Sequence, residues 1–218
     1  MEEDDVPNMS RMSWLIAFLP LLAMIAIMLF TQLAVAKRIE GSNTADVVDY
    51  KLTADGRYKV YRAIREADGA IELYSVPTNG GTPVRLNRTL ALERAVGAYQ
   101  VSADGRWVVY LAPQDDPDRN ELYSVPTTGS VEDIVKLSDT QAFRGKVLQF
   151  QISPDSKRVA YIVSQITEGT NELYSVAIGG PATASVRLSE SVELNSQVFN
   201  FQFEPDGQVT DQISQEED

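Results

Sequence analysis

Three carboxylates fall within four residues in Gln114-Asp-Asp-Pro-Asp-Arg-Asn120, and an oxygen-rich loop of that kind can hold calcium. Pro117 interrupts the run, its spacing matches no calcium-binding loop, and it has no counterpart elsewhere in the chain. It reads as a solvated inter-strand loop, so the sequence predicts no metal and no cofactor. Carboxylates are otherwise plentiful, yet nothing brings a chosen pair together, so the two-acid chemistry of a glycosidase is not indicated. Asn87-Arg-Thr89 fits the acceptor pattern for N-glycosylation, which matters only on a eukaryotic secretory route. There is no Gly-rich phosphate loop, and Gly80-Gly81 and Gly179-Gly180 read as hairpin turns.

What is missing says more. The 218 residues include no histidine and no cysteine. Without histidine there is no Ser-His-Asp or Cys-His catalytic set and no imidazole ligand for a metal. Without cysteine there are no disulfides, thiolate nucleophiles or thiolate-bound zinc. The sequence therefore predicts a non-enzyme with no catalytic, cofactor-binding or metal-binding residues, and it assigns no binding residue. A net charge of −12 with no basic stripe repels phosphate backbones and excludes nucleic acid as a partner. Hydrophobic residues make up 44 %, enough for a packed core.

The elements that position these loops are repeated. Glu72-Leu-Tyr-Ser-Val76 returns as Glu121-Leu-Tyr-Ser-Val125 and as Glu172-Leu-Tyr-Ser-Val176, at spacings of 49 and 51 residues. Ala54-Asp-Gly56, Ala103-Asp-Gly105, Pro154-Asp-Ser156 and Pro205-Asp-Gly207 keep the same step. Two motifs locked to one period mean one structural unit copied along the chain. The third copy is the clearest: Phe150-Gln-Ile-Ser-Pro-Asp-Ser-Lys-Arg-Val-Ala-Tyr-Ile-Val163, then Asn171 to Ala177, then Ser185 to Ser189. Short runs of alternating apolar and polar residues, broken by turn residues, predict strand, tight turn, strand, variable loop, strand, glycine-bearing turn, strand. Four antiparallel strands per unit of roughly 50 residues, with little helix signal, predict propeller blades. Tyr61, Tyr110 and Tyr161 align on the second strand and Tyr74, Tyr123 and Tyr174 on the third, where they are expected to pack blade against blade. Arg85, Lys136 and Arg187 on the fourth strand are expected to be solvated edge charges that discourage edge pairing.

This arrangement resembles the repeat of TolB-type β-propellers, whose unit runs approximately Trp-Ser-Pro-Asp-Gly, a strand, an aromatic strand, Gly-Gly and Arg-Leu-Thr. The resemblance covers residues 45–213 and implies a WD40-like blade. It implies no particular function, because the repeat occurs in periplasmic scaffold proteins, surface proteins and the propellers of some serine peptidases. The first two copies carry Ala in place of Pro in the turn, and no copy has Trp at the strand start.

The predicted fold class is all-β: a partial β-propeller of about three four-stranded antiparallel blades (45–90, 95–140, 146–190) plus the start of a fourth (197–213), preceded by one transmembrane α-helix. The fourth copy begins at Phe201-Gln-Phe-Glu-Pro-Asp-Gly207, but its second strand, from Gln208 to Ile213, loses the hydrophobic alternation. The tail 214–218 reads as solvated. Closed propellers take about four to eight blades. The chain is thus a fragment of a larger propeller, or completes a six-bladed ring with a second copy, or stands as an open arc whose end blades a partner covers.

From Met12 to Ala36 there is no charged residue. At about 1.5 Å per residue such a run spans roughly 35 Å, enough to cross a bilayer. Residues 13–36 are read as a membrane-spanning anchor between an acidic tail (1–12) and a linker (37–44). Ala34-Val-Ala36 also has the form of a signal peptidase site, but the apolar run exceeds a signal's usual length. A signal-like N-terminus before a repeat domain predicts a single-pass membrane protein with extracytoplasmic (periplasmic or cell-surface) repeats. The functional expectation is a membrane-anchored, non-enzymatic module for protein or cell-envelope binding or scaffolding. Its partners are the membrane through 13–36, and a protein or a second copy through exposed blade faces. The alternative is the N-terminal propeller of a peptidase-like enzyme lacking its catalytic domain.

Overall fold

The computed structural model describes residues 44–138, 145–164, 170–189 and 196–215. The expected membrane span, 13–36, lies outside the described residues, as does the loop 165–169. Among the described residues no helix is long and apolar enough to cross a membrane.

The described chain is all-β, in four antiparallel sheets. The first blade is the meander β1 (Thr44–Leu52), β2 (Tyr58–Arg65), β3 (Ile71–Pro77) and β4 (Val84–Arg85). The second is β5 (Tyr99–Val101), β6 (Trp107–Ala112), β7 (Glu121–Pro126) and β8 (Val135–Lys136). The third is β9 (Lys146–Ile152), β10 (Arg158–Ser164), β11 (Asn171–Ala177) and β12 (Val186–Arg187). The fourth sheet is the two-stranded hairpin of β13 (Ser196–Phe203) and β14 (Val209–Gln215).

Each hairpin between the first two strands is set by its own side chains. Thr53, Ser102 and Ser153 donate their hydroxyls to Asp55, Asp104 and Asp155 at 2.6, 2.6 and 2.7 Å. The same carboxylate oxygens accept the backbone N–H of Arg57, Arg106 and Lys157. An aspartate in this role turns the chain without help from the core. The residue after it takes positive φ, which suits Gly56 and Gly105, while the third copy places Ser156 there at φ 61°. Ser156 gains a compensating contact: its Oγ accepts the backbone N–H of Asp104, one blade away, at 3.1 Å.

Blades stack through complementary faces, and each apolar cluster crosses a junction. Leu73 and Leu86 of the first blade pack with Tyr99, Tyr110 and Tyr123 of the second. Leu122 and Leu137 of the second pack with Phe150, Tyr161 and Tyr174 of the third. Ala160, Ile162 and Leu173 of the third pack with Val198 and Phe201. Tyr110, Tyr123, Tyr161 and Tyr174 therefore pack blade on blade as expected, whereas Tyr61 and Tyr74 belong to none of these clusters. All six stack within a blade, Tyr110 facing Tyr123 with centroids 5.6 Å apart and Tyr61–Tyr74 and Tyr161–Tyr174 repeating the pair. Because the second blade is covered on both sides, β7 is buried along its first five residues.

A polar clasp joins the innermost strands. Lys51 Nζ donates to Tyr99 O at 2.9 Å. Gln100 donates through Nε2 to Phe150 O at 3.0 Å and accepts from Ile152 N at 3.1 Å. Gln151 Oε1 accepts from Phe203 N at 3.4 Å. Lys51, Gln100 and Gln151 occupy one register position, opposite Val60, Val109 and Ala160.

The last hairpin departs from its pattern. In complete blades Thr53, Ser102 and Ser153 N–H bond the carbonyl five residues on, whereas Glu204 N bonds Gln208 O, four on. The turn is thus one residue shorter, and Asp211 pairs with Phe201 where Tyr161 pairs with Phe150. Residues 209–215 nevertheless form a full strand, although their sequence has lost its alternation. Backbone pairing and the packing of Phe201, Phe203 and Val209 on the third blade hold the hairpin.

Candidate functional site

The strongest polar constellation is one that the sequence reading treated as structural background. In each complete blade the glutamate within the first two residues of the third strand is buried: Glu72, Glu121 and Glu172. The tyrosine two residues on lies on the same face of the strand and donates its hydroxyl to the carboxylate, at 3.0, 2.6 and 2.5 Å. The fourth-strand cation reaches the other oxygen: Lys136 Nζ at 2.7 Å from Glu121, Arg187 at 2.8 Å from Glu172, and Arg85 at 3.4 Å from Glu72. Glu72 has a second cation, Arg65, at 2.5 Å. Arg85, Lys136 and Arg187 are charges on edge strands, 33 %, 30 % and 42 % exposed, and each also has a buried partner. Each is the counter-ion of a carboxylate taken out of water, where removing either partner is costly.

Burial, reinforced by the adjacent carboxylate, pushes the hydroxyls of Tyr74, Tyr123 and Tyr174 well above the usual tyrosine range. Burial does the same for Tyr110. These hydroxyls hold their protons at neutral pH, and those of Tyr74, Tyr123 and Tyr174 donate them to the glutamates. The role of the clusters is to fix the third and fourth strands together.

The acidic loop is not a free oxygen cage. Asp115 pairs with Arg88 of the preceding blade at 2.7 Å and with Lys136 at 3.6 Å. Asp116 pairs with Arg119 at 3.3 Å and Asp118 with Arg94 at 3.4 Å. Gln114 accepts the backbone N–H of Arg88 and the hydroxyl of Tyr110. The loop is solvated as expected, with Asp115, Pro117, Asp118 and Asn120 exposed, and its carboxylates are matched to cations, two of them from the first blade. Among the described residues no three acidic side chains converge as a metal site. The corresponding loop of the first blade is closed in the same manner by the Arg65–Asp68 ion pair.

Asn87 is fully buried, accepts the backbone N–H of Leu73 at 2.8 Å and donates to Arg88 O at 2.6 Å. Ser138 and Ser189 bond Leu122 N and Leu173 N in the other blades. The acceptor pattern at Asn87 is therefore a strand clamp, closed to a modifying enzyme in the folded chain.

One open groove of about 570 Å³ lies between the first hairpin turns of blades one and two, lined by Asp55, Arg57, Tyr58, Asp104, Arg106 and Trp107 among others. Its two carboxylates are held in their own turns, and the Thr53 hydroxyl with the Arg57 N–H keeps Asp55 far below the usual range. The groove thus combines two rings, Tyr58 and Trp107, with two acidic and two basic side chains.

No protein-family model matches the chain, and no curated protein does. Many solved structures are similar to it, among them these three. A putative TolB from Agrobacterium tumefaciens aligns at 14 % identity and a TM-score of 0.49, over 79 % of this chain and 60 % of that one. A structure from a study of two prolyl endopeptidases aligns at 17 % identity and a TM-score of 0.55, over 83 % of this chain and 28 % of that one. Tricorn protease aligns at 14 % identity and a TM-score of 0.48, over 62 % of this chain and 14 % of that one. At these identities the likeness concerns the fold alone, a series of β-propeller-type blades, and this chain spans less than two thirds of each of those proteins.

Proposed function

We propose that the chain is a membrane-anchored, non-enzymatic β-propeller module that binds a protein or another component of the cell envelope, held by residues 13–36 with its blades on the extracytoplasmic side. The observation that carries this reading is the division between constant and variable parts of the repeat. The recurring polar residues, from Asp55, Asp104 and Asp155 to Glu72, Glu121 and Glu172, are engaged in turns and buried ion pairs. The loops after the second strands differ in length and charge between copies, as in 66–69 against 114–120. A rigid frame carrying variable loops is the usual basis of a binding scaffold.

Two measurements test it on the full chain. Alkaline carbonate extraction of membranes should leave the chain in the pellet and release a variant lacking residues 13–36; release of both removes the anchor. A photo-reactive residue at the exposed Glu66 or Asp118 should give a discrete heavier adduct in those membranes. Its absence from both positions counts against loop-mediated binding.

The likeness to the prolyl endopeptidase structure favours one other reading, the N-terminal propeller of a peptidase-like protein without its catalytic domain. The lack of histidine places any triad outside these 218 residues. Coding DNA past codon 218 decides: further Tyr-Ser-Val repeats and a Gly-x-Ser-x-Gly motif support this reading, and an intergenic region removes it.

A further inference from the structure

The clasp that joins successive blades has one more member than it has junctions. Lys51, Gln100 and Gln151 each hold the backbone of the next innermost strand. Gln202 follows in the same register, opposite Thr210, but it is exposed and its amide turns back to Glu204 Oε1 at 3.1 Å. At the other end, Tyr50 and Leu52 stand where Tyr99/Val101, Phe150/Ile152 and Phe201/Phe203 receive a preceding blade. They are 61 % and 53 % exposed.

The same two faces are where charge enters the repeat. The partner of Leu52 across the first hairpin is Lys59, while Val101 and Ile152 face Val108 and Val159. The residue that starts the turn is Thr53, Ser102 or Ser153 in complete blades and Glu204 in the last. At the first two junctions the turn lies beside the next blade's hairpin. A Cβ at Gly105 would stand 3.2 Å from Thr53 Cβ, and Ser156 Oγ bonds Asp104 N. Extending the stack by one blade from β13–β14 would set Arg57 and Lys59 of that blade near Glu204 and Asp206. Charges placed only to keep terminal faces apart would share one sign; these are opposite.

We propose that the outer face of β13–β14 docks on the outer face of β1–β2 of a second copy, head to tail, with Gln202 clasping the second copy's β1 and Glu204 meeting its Lys59. Such an interface is heterologous and closes only as a ring. Two chains bring eight sheets, within the roughly four to eight that close a propeller. This deepens the binding-module reading by naming one partner of the blade faces, and it does not depend on the loops.

The chain has no cysteine, so single cysteines report contacts without background. Full chains in detergent, one carrying Gln202→Cys and the other Leu52→Cys with a different tag, are mixed and treated with a short bis-maleimide. The expected result is a mixed-tag dimer, about tenfold over a Gln202→Cys with Asp118→Cys control, suppressed by Lys59→Glu and recovered when Glu204→Lys is added. A yield no higher than the control, indifference to Lys59→Glu, or a dominant Gln202→Cys homodimer overturns the proposal. Adducts from Glu66 and Asp118 test the loop-binding reading separately, so the two can fail independently.

Discussion

Lys136 Nζ lies 2.7 Å from the buried carboxylate of Glu121, while Tyr123, two residues along the same strand, donates to its other oxygen at 2.6 Å. The lysine side chain is 30 % exposed and the glutamate 3 %. That asymmetry gives an ordered prediction. Lys136→Met leaves a charge that cannot reach water and should cost about 3 kcal/mol. Glu121→Gln leaves a cation that can turn outward and should cost about 1–2 kcal/mol. Chemical denaturation of both variants checks the order; equal losses contradict it.

Gln100 bridges two backbone groups of the neighbouring innermost strand. Gln100→Leu keeps the volume and removes both bonds, so a loss of roughly 2 kcal/mol is expected. Hydrogen exchange should locate the weakening at Ile152 N–H, the group that loses its acceptor. An unchanged rate there would mean that the clasp is incidental.

Ser156 combines an unfavourable backbone with a useful hydroxyl. Ser156→Ala keeps positive φ and removes the bond to Asp104 N, costing about 1–2 kcal/mol. Ser156→Gly removes the same bond but relieves about 1 kcal/mol of left-handed strain, leaving the smaller loss. Thermal melts of the two variants read the difference directly.

At high pH the buried tyrosines set the limit. Burial raises Tyr74, Tyr99, Tyr110, Tyr123 and Tyr174, and a neighbouring carboxylate adds to it at Tyr74, Tyr99, Tyr123 and Tyr174 through Glu72, Asp49, Glu121 and Glu172. At Tyr110, Gln114 and Arg88 oppose the rise and Asp115 adds to it. Unfolded tyrosine ionises near pH 10, so this stabilisation is complete below about pH 10 and lost as pH rises beyond it. Tyrosinate absorbance should therefore rise cooperatively together with loss of β-structure above about pH 10. In a chain carrying Tyr50→Phe and Tyr58→Phe, which removes the tyrosines outside the buried set, a gradual titration near pH 10 with the fold intact contradicts the assignment.

Features made by neighbours in sequence were legible without a structure. The repeat period, the four-strand meander and the Asp-centred hairpins are local, since Asp55 needs only Thr53 and Arg57 to close its turn. Features made across strands were less legible. Arg85, Lys136 and Arg187 are edge-strand charges as expected, but their buried partners were missed because these lie 13 to 15 residues back, brought near by sheet register. A signal was present: every complete copy has Glu within the first two residues of its third strand and a cation on its fourth. The acidic loop is exposed as its sequence suggests, but its pairing with Arg88 and Arg94 was not legible, because those cations come from the previous blade. The hairpin at 209–215 was undervalued because packing holds it where its own pattern does not.

The central claim is that the blades present variable loops to a partner in the membrane's vicinity. Photo-cross-linking from Asp118, 85 % exposed at the tip of the acidic loop, tests it most directly. The full chain in its own membranes should yield one discrete adduct, lost when the same probe sits at the buried Leu122 of an otherwise folded chain. No adduct from Asp118, or an identical pattern from Leu122, would contradict the account.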